Sequence, residues 1–268
     1  MAGVLAGHGD WGNVATLVCD LDGVIYVDGA VIPGAATALE ALQHQGRRLL
    51  FVTNNSTKTS RIVVDTIAQL TGFQAEERDV VTAGLVTAMT LEGLVDRVLV
   101  VGGPALVETF RSRGFTVVSN WRRAEAVACG LNFHLTYDDL AAATLAIRAG
   151  ALFYATNTDA TYPTAEGQKP GGGAIVAALE TATGIKAVVC GKPHAPLGDA
   201  VRKIVGEEKV LVIGDRFETD VALGKAQGWF TALVLTGVTT AASEAPPGLN
   251  PDIVVDSLAD LPAVLGAR

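Results

Sequence analysis

A chain of 268 residues is long enough for one large α/β domain or two smaller ones, each with a full core. Its formal net charge of -8 and pI near 5.0 exclude nucleic acid as a partner, because no cationic excess is available to neutralise a phosphate backbone. The mean hydropathy of +0.36 comes from Ala, Val and Leu spread among charges, and no window is apolar over the length needed to span a bilayer.

The chain opens on MAGVLAGHGDWG, which has no positive leader and is interrupted by Asp10 and several glycines, so neither a signal peptide nor a membrane anchor is expected. Cys19, Cys129 and Cys190 each sit in or beside an apolar run with no second cysteine nearby. That spacing suggests neither a zinc site nor a disulfide framework and favours a reducing compartment, the cytoplasm. The first apolar strand, residues 15–20, runs into Asp20-Leu21-Asp22-Gly23. Alternate strand residues share a face, so Asp20 and Asp22 can point into one pocket. Two carboxylates that close repel unless a cation separates them or one takes a proton, and a hard ion such as magnesium meets that need. Gly23 lets the backbone turn and bring an amide to an anion. The competing reading is a turn with two solvated aspartates.

A second strand, 48–53, ends in Thr53-Asn54-Asn55-Ser56, where a hydroxyl and successive amides can hold phosphate oxygens. Ser56 and Thr57 are also good helix caps, and the two readings are compatible. Further strands are predicted over 98–101, 115–118, 124–129 and 151–155. Between them, Pro104 can start a helix that Gly114 ends. Thr136 with Asp139 forms a capping box for a helix stopped by Gly150. The PGGGA run lacks the spacing of a dinucleotide loop and reads as a tight entry into a helix from Ala174. The strand 187–190 is predicted to be buried and leads into Gly191-Lys192-Pro193-His194, which would fix an ammonium at the mouth of the sheet. After a helix over 195–205, the strand 210–213 ends in Gly214-Asp215, and Asp220 follows within the next helix, 218–227. There it can turn back toward the same site and favour the helix N-terminus. A strand over 231–235 and an irregular loop over 239–251 complete the reading. Alternation of this kind predicts an α/β fold with a mostly parallel sheet, and ligands then bind beyond the strands' carboxyl ends. All four polar stretches are expected to meet at one edge of a single sheet.

The order D-x-D-G, T-N-N-S, G-K-P and G-D-x-x-x-T-D resembles the haloacid-dehalogenase-like superfamily of aspartyl phosphotransferases. The segments TNNSTKTSR, ATNTDATYPTAEGQKPGGGA, GKPHAPL, GDRFETD with LVLTGV, and VVDSLADL are similar to its subfamily IIA branch of nitrophenylphosphatases, phosphoglycolate phosphatases and pyridoxal phosphatases. The resemblance implies a Rossmann-like core, residues 1–93 and 187–268, and an inserted α/β cap, residues 94–186. It implies Asp20 as nucleophile and Asp22 as general acid and base, the latter needing a raised pKa. A magnesium ion would be held by Asp20, the Asp22 main-chain carbonyl and Asp215, with Asp220 holding metal-bound water. Phosphate would lie against the Gly23 and Asn54 amides, the Thr53 hydroxyl and Lys192, beside Asn55. Candidate cap contacts are Asn132, His134, Asn157, Asp159, Tyr162 and Pro163, each equally readable as a local structural group.

The implied activity is hydrolysis of small phosphate monoesters, with nitrophenyl phosphate, phosphoglycolate or glycerol phosphate as the type of substrate. Thr57 stands where some pyridoxal-phosphate members carry arginine, which disfavours that substrate. The implied partner is a small phosphorylated metabolite, with no nucleic acid and no membrane, and caps of this kind can pair two copies into a homodimer. A phosphomutase would share every core residue, and a non-catalytic phosphate-sensing module would need Asp20, a threonine and a lysine but not Asp22.

Overall fold

The computed structural model describes residues 5–6, 11–164, 166–241 and 243–266, without the side chains of 5, 6 and 163. Most of the N-terminal stretch read for a leader, and the Pro163 side chain, therefore lie outside the described residues. The chain packs as two compact units. One comprises Met1–Thr53, Val63–Val81 and Gly198–Arg268, the other Asn54–Ile62 and Thr82–Leu197.

The first unit is built on a seven-stranded sheet. Across it run Leu5–Ala6, Ile253–Val255, Phe230–Val234, Val210–Gly214, Thr16–Cys19, Arg48–Thr53 and Val80–Thr82. Pairing from Arg48–Thr53 through to Ile253–Val255 is parallel, and Leu5–Ala6 adds an antiparallel edge. Thr16–Cys19 and Val210–Gly214 are buried at every residue, because a parallel sheet is covered on both faces and its strands read as continuous apolar runs rather than alternating ones. Numbered along the chain from Thr16–Cys19, the last six strands lie in the order 3-2-1-4-5-6, that of a Rossmann-type sheet. The order reverses between Thr16–Cys19 and Val210–Gly214, and connections there leave in opposite directions and open a crevice at the carboxyl ends. Leu17, Phe51, Leu39, Leu42 and Ile67 are fully enclosed in the core of this unit, each burial stabilising it by about 1.5–3 kcal/mol.

The second unit holds a five-stranded, all-parallel sheet in the order Val188–Val189, Leu152–Ala155, Ala126–Cys129, Arg97–Val101, Thr116–Val117. In sequence, this sheet is inserted between the third and fourth strands of the first. The expected α/β class with an inserted α/β domain is therefore the observed one. Helix Pro104–Ser112 begins at the expected proline, and Tyr137–Arg148 starts behind a Thr136–Asp139 capping box. Burial of Cys129 in this core pushes its thiol up to about 12, so it stays an uncharged core residue.

Several expectations need correction. The strand over 187–190 is a two-residue edge strand with Val188 exposed, and it pairs with Leu152–Ala155 in the second sheet. Only three of the four polar stretches thus follow strands of the seven-stranded sheet. The helix after Asn54 starts at Ser60, not at Ser56 or Thr57; its cap is Thr59, whose hydroxyl accepts the Ile62 amide at 3.3 Å. The helix after the PGGGA run begins at Gly172 rather than Ala174. Short strands at Val80–Thr82 and Ile253–Val255, and a hairpin of Thr161–Thr164 with Gly167–Pro170, were not anticipated. No described helix is long and apolar enough to cross a membrane.

Candidate active site

In the first unit, the decisive residues lie just beyond the carboxyl ends of neighbouring strands. Asp20 follows Thr16–Cys19, and its amide donates to the Ile213 carbonyl at 2.9 Å, continuing the ladder one residue past the strand. Asp215 follows Val210–Gly214 on one side, and Thr53 closes Arg48–Thr53 on the other. Carboxylate oxygens of Asp20, Asp215 and Asp220 all lie within 4.8 Å of one another. Asp215 and Asp220 are 2 % and 1 % exposed, so their charges face each other rather than water. Asp220 reaches this place because the expected helix opens with a π-helical turn, Phe217–Val221, before the α-helix Ala222–Gln227. The wider turn swings the aspartate back: its carboxylate accepts the Arg216 amide at 3.2 Å and the Thr219 hydroxyl at 3.1 Å.

Asp22 lies on the turn after Asp20. Its residue is exposed and its carboxylate is outside the group of three, so the structure groups Asp20 with Asp215 and Asp220 rather than, as the strand alternation suggested, with Asp22. Gly23 holds φ +86, a left-handed conformation that a side chain would strain, and its amide, expected to face phosphate, instead donates to the Tyr26 carbonyl at 2.9 Å and closes the turn. Tyr26 was missed in the sequence. Burial, then the charges of Asp22 and Asp20, raise its phenol far above the usual range, so it remains a neutral hydroxyl beside the Asp20–Gly23 turn. Nothing in the pattern Val-Ile-Tyr separates it from a core aromatic.

In the second unit, Asn54 and Lys192 are joined. The Asn54 side chain accepts the Lys192 amide at 2.8 Å and donates to the Lys192 carbonyl at 3.1 Å. The same nitrogen lies 3.3 Å from Asp159, and Asn157 donates to the Asn54 carbonyl at 2.8 Å. Lys192 is 4 % exposed, which makes it an enclosed cation and not a surface lysine. Asn157 and Asp159, predicted as cap contacts, therefore brace this cluster. Asn55 is occupied locally, accepting from both the amide and hydroxyl of Thr57. His134 is exposed, its amide held by the Asn132 side chain at 2.9 Å, and Tyr162 packs edge-on against exposed Phe133 at 5.8 Å.

Two family models match the chain: a haloacid dehalogenase-like hydrolase model over residues 17–116, and a related hydrolase-like model over 189–261. The D-glycerol 3-phosphate phosphatase of Mycobacterium tuberculosis is 40 % identical over 253 residues, covering 91 % of this chain and 70 % of its own. The chain belongs to the haloacid dehalogenase-like hydrolases. Among solved structures, the p-nitrophenyl phosphatase of Archaeoglobus fulgidus superposes with TM-score 0.89 at 33 % identity, covering 94 % of this chain and 99 % of its own. The glycerol phosphate phosphatase of M. tuberculosis in complex with magnesium gives TM-score 0.87 at 37 % identity, covering 95 % and 78 %.

The donor set of this haloacid dehalogenase-like hydrolase fits a hard divalent cation. Three carboxylates gathered within 4.8 Å would repel strongly if left ionised alone, and all of their donor atoms are oxygens, with no sulfur or imidazole among them. Asp20, Asp215 and Asp220, with the Asp22 carbonyl, are the residues that would hold the ion.

Proposed function

We propose that this chain is a magnesium-dependent phosphatase that hydrolyses small phosphate monoesters through a phospho-aspartyl intermediate on Asp20. The observation that carries the reading is the convergence of Asp20, Asp215 and Asp220 where the strand order reverses. Uncatalysed monoester hydrolysis is so slow that enzymes accelerate it by up to about 10²¹-fold, so several effects must share the task. A bound magnesium ion would supply positive charge that offsets the repulsion between Asp20 and the phosphoryl oxygens.

In this reading an Asp20 oxygen attacks phosphorus, the bond from phosphorus to the ester oxygen breaks, and Asp22 gives its proton to the departing oxygen. Asp22 then takes a proton from water, whose oxygen displaces the phosphoryl group from Asp20 and releases phosphate. The Thr53 hydroxyl and the Asn54 amide hold phosphoryl oxygens, and Lys192 neutralises the charge that builds on them. Residues 94–186 act as the cap and set the choice of leaving group through His134, Tyr162 and their neighbours. Pairing of two copies through that cap and a cytoplasmic setting belong to the same reading. Of the substrate types considered, glycerol phosphate is favoured by the glycerol phosphate phosphatase relatives.

The test is release of free phosphate from nitrophenyl phosphate and glycerol phosphate by purified protein, with magnesium and after chelation. Activity is expected only with the metal, and Asp20→Asn is expected to lower turnover on the order of 10⁴-fold or more with an unchanged circular dichroism spectrum. A variant that retains the wild-type rate, or phosphate passed on to a second substrate in place of release, would refute the assignment.

A further inference from the structure

The segment after the fifth strand of the first unit, Thr236-Gly237-Val238-Thr239, was read in the sequence only as part of a family-like stretch, and the catalytic scheme above gives it no role. In the structure it makes three bonds to the catalytic turns. The Thr236 hydroxyl donates to the Gly23 carbonyl at 2.6 Å. The Val238 amide donates to Oδ2 of Asp215 at 2.6 Å, and the Thr239 amide donates to the Asp215 main-chain carbonyl at 3.1 Å. Asp215 is thus held at its backbone and at one oxygen of its carboxylate by the same short segment.

Steric fit reinforces these bonds. A Cβ added at Gly237 would overlap Oδ2 of Asp215 and come within 2.6 Å of its Cβ and Cγ, distances that non-bonded carbons do not adopt. A Cβ at Gly23 would meet the same oxygen, at 2.6 Å from Oδ2, and the Gly237 Cα at 3.1 Å. The Oδ2 edge of Asp215 therefore packs against two adjacent glycine backbones, which leave no room there for a side chain. At a cation site this matters, because the attraction between an ion and a carboxylate is steep in distance and a ligand that is fixed beforehand loses no rotamer entropy on binding.

We propose that Thr236, Gly237 and Val238 form a positioning brace that presets Asp215 for the divalent ion and ties it to the Asp20–Gly23 turn. The brace acts through Asp215 and Gly23 and touches neither substrate nor reacting atoms. This inference rests on the metal-dependent phosphatase reading, and its test separates the two. Magnesium affinity is measured by titration calorimetry on the intact protein, independently of turnover. For Gly237→Ala the magnesium dissociation constant is expected to rise roughly tenfold or more, the scale of loss when a group that orients a metal ligand is disturbed. Wild-type turnover is expected to return only when magnesium is raised in proportion.

If Gly237→Ala does not fold, Thr236→Val and Thr236→Ser decide the matter, since valine keeps the shape and removes the donor whereas serine keeps the donor. Thr236→Val is expected to lower kcat roughly fivefold or more at saturating magnesium with little change in KM, and Thr236→Ser to recover it to within about twofold. Wild-type magnesium affinity in Gly237→Ala, or equal kcat in the valine and serine variants, would overturn the brace while leaving the phosphatase assignment intact. A wild-type protein that neither binds magnesium nor releases phosphate would overturn both.

Discussion

Asn54 shows how much of this chain's chemistry rests on single side chains. Its amide group reads the Lys192 backbone in both directions, accepting the N–H and donating to the carbonyl, so it occupies the position that a neighbouring strand would. Asn54→Ala leaves the Lys192 amide and carbonyl without that partner in an enclosed place, and each such group costs about 1–3 kcal/mol. The expected result is a loss of stability of about 2–4 kcal/mol, read as a lower urea midpoint at unchanged slope. At this scale the sequence was partly legible. Asp20 and Asp215 were found because each follows an apolar run that reads as a strand, and strand ends gather in an open α/β sheet, while Asp220 was found because it falls about one turn into the following helix. The side-chain role of Asn54 was not legible, because no local pattern records that residues 54 and 192 will be neighbours. Asp22 was read as sharing a pocket with Asp20, whereas its exposed carboxylate lies outside the group of three, because it sits on the turn beyond the strand where alternation no longer holds.

Among the elements, the last two strands of the first unit depend on a small polar joint. The Asp252 carboxylate accepts the Thr231 amide at 2.8 Å and hydroxyl at 2.7 Å and the Lys225 ammonium at 2.9 Å, fastening the start of Ile253–Val255 to Phe230–Val234. Partial burial works to raise its pKa, but the Thr231 hydroxyl, the Lys225 ammonium and the Thr231 amide together hold it below the usual aspartate value. A depressed carboxylate stabilises the fold above its unfolded pKa, near 3.9, and that contribution fades as pH falls through the lower folded value. Asp252→Asn is therefore expected to cost about 1 kcal/mol at pH 7, a figure reduced for the joint's partial exposure, and progressively less below about pH 4. Denaturant titrations of both proteins at several pH values check this. Elements with strong local signals, such as the Thr136–Asp139 box and the Pro104 start, were readable in the sequence. Strands of two or three residues, such as Val80–Thr82, were not, because they are too short to show a period and exist through their partners. The π-helical turn at Phe217–Val221 was hidden for a different reason: its sequence suits an α-helix, and no residue pattern announces the five-residue bond from the Val221 amide to the Arg216 carbonyl at 3.2 Å.

Each unit of the molecule has its own cores, among them one around Leu17, Phe51 and Ile213 in the first and one around Val127, Ile147 and Leu179 in the second. The three carboxylates belong entirely to the first. A ligand stabilises the part of a structure that must be intact to bind it, by about 2.7 kcal/mol at a hundredfold excess over its dissociation constant. Magnesium at that excess is expected to slow amide exchange roughly 100-fold in Thr16–Cys19 and Val210–Gly214, and to leave Ala126–Cys129 and Arg97–Val101 unchanged. Exchange followed by mass spectrometry distinguishes this from uniform protection. The α/β class was legible from the alternation of runs and helices. Membership of the short strand before Lys192 was not: parallel strands of both sheets carry the same β-branched signature, and Val188–Val189 joins the second sheet through Tyr154 and Ala155, which no spacing announces.

The reversal of strand order between Thr16–Cys19 and Val210–Gly214 also has a consequence for biosynthesis. A ribosome translating this message makes Asp20 before the insertion and Asp215 only after the whole insertion has been added. The fourth strand must then slot in beside the first, so a nascent chain carries Asp20 through most of its elongation with no neighbouring carboxylate to complete the pocket. Catalytic competence arrives late and all at once, and polypeptides released early by premature termination are inert however well their leading segments fold.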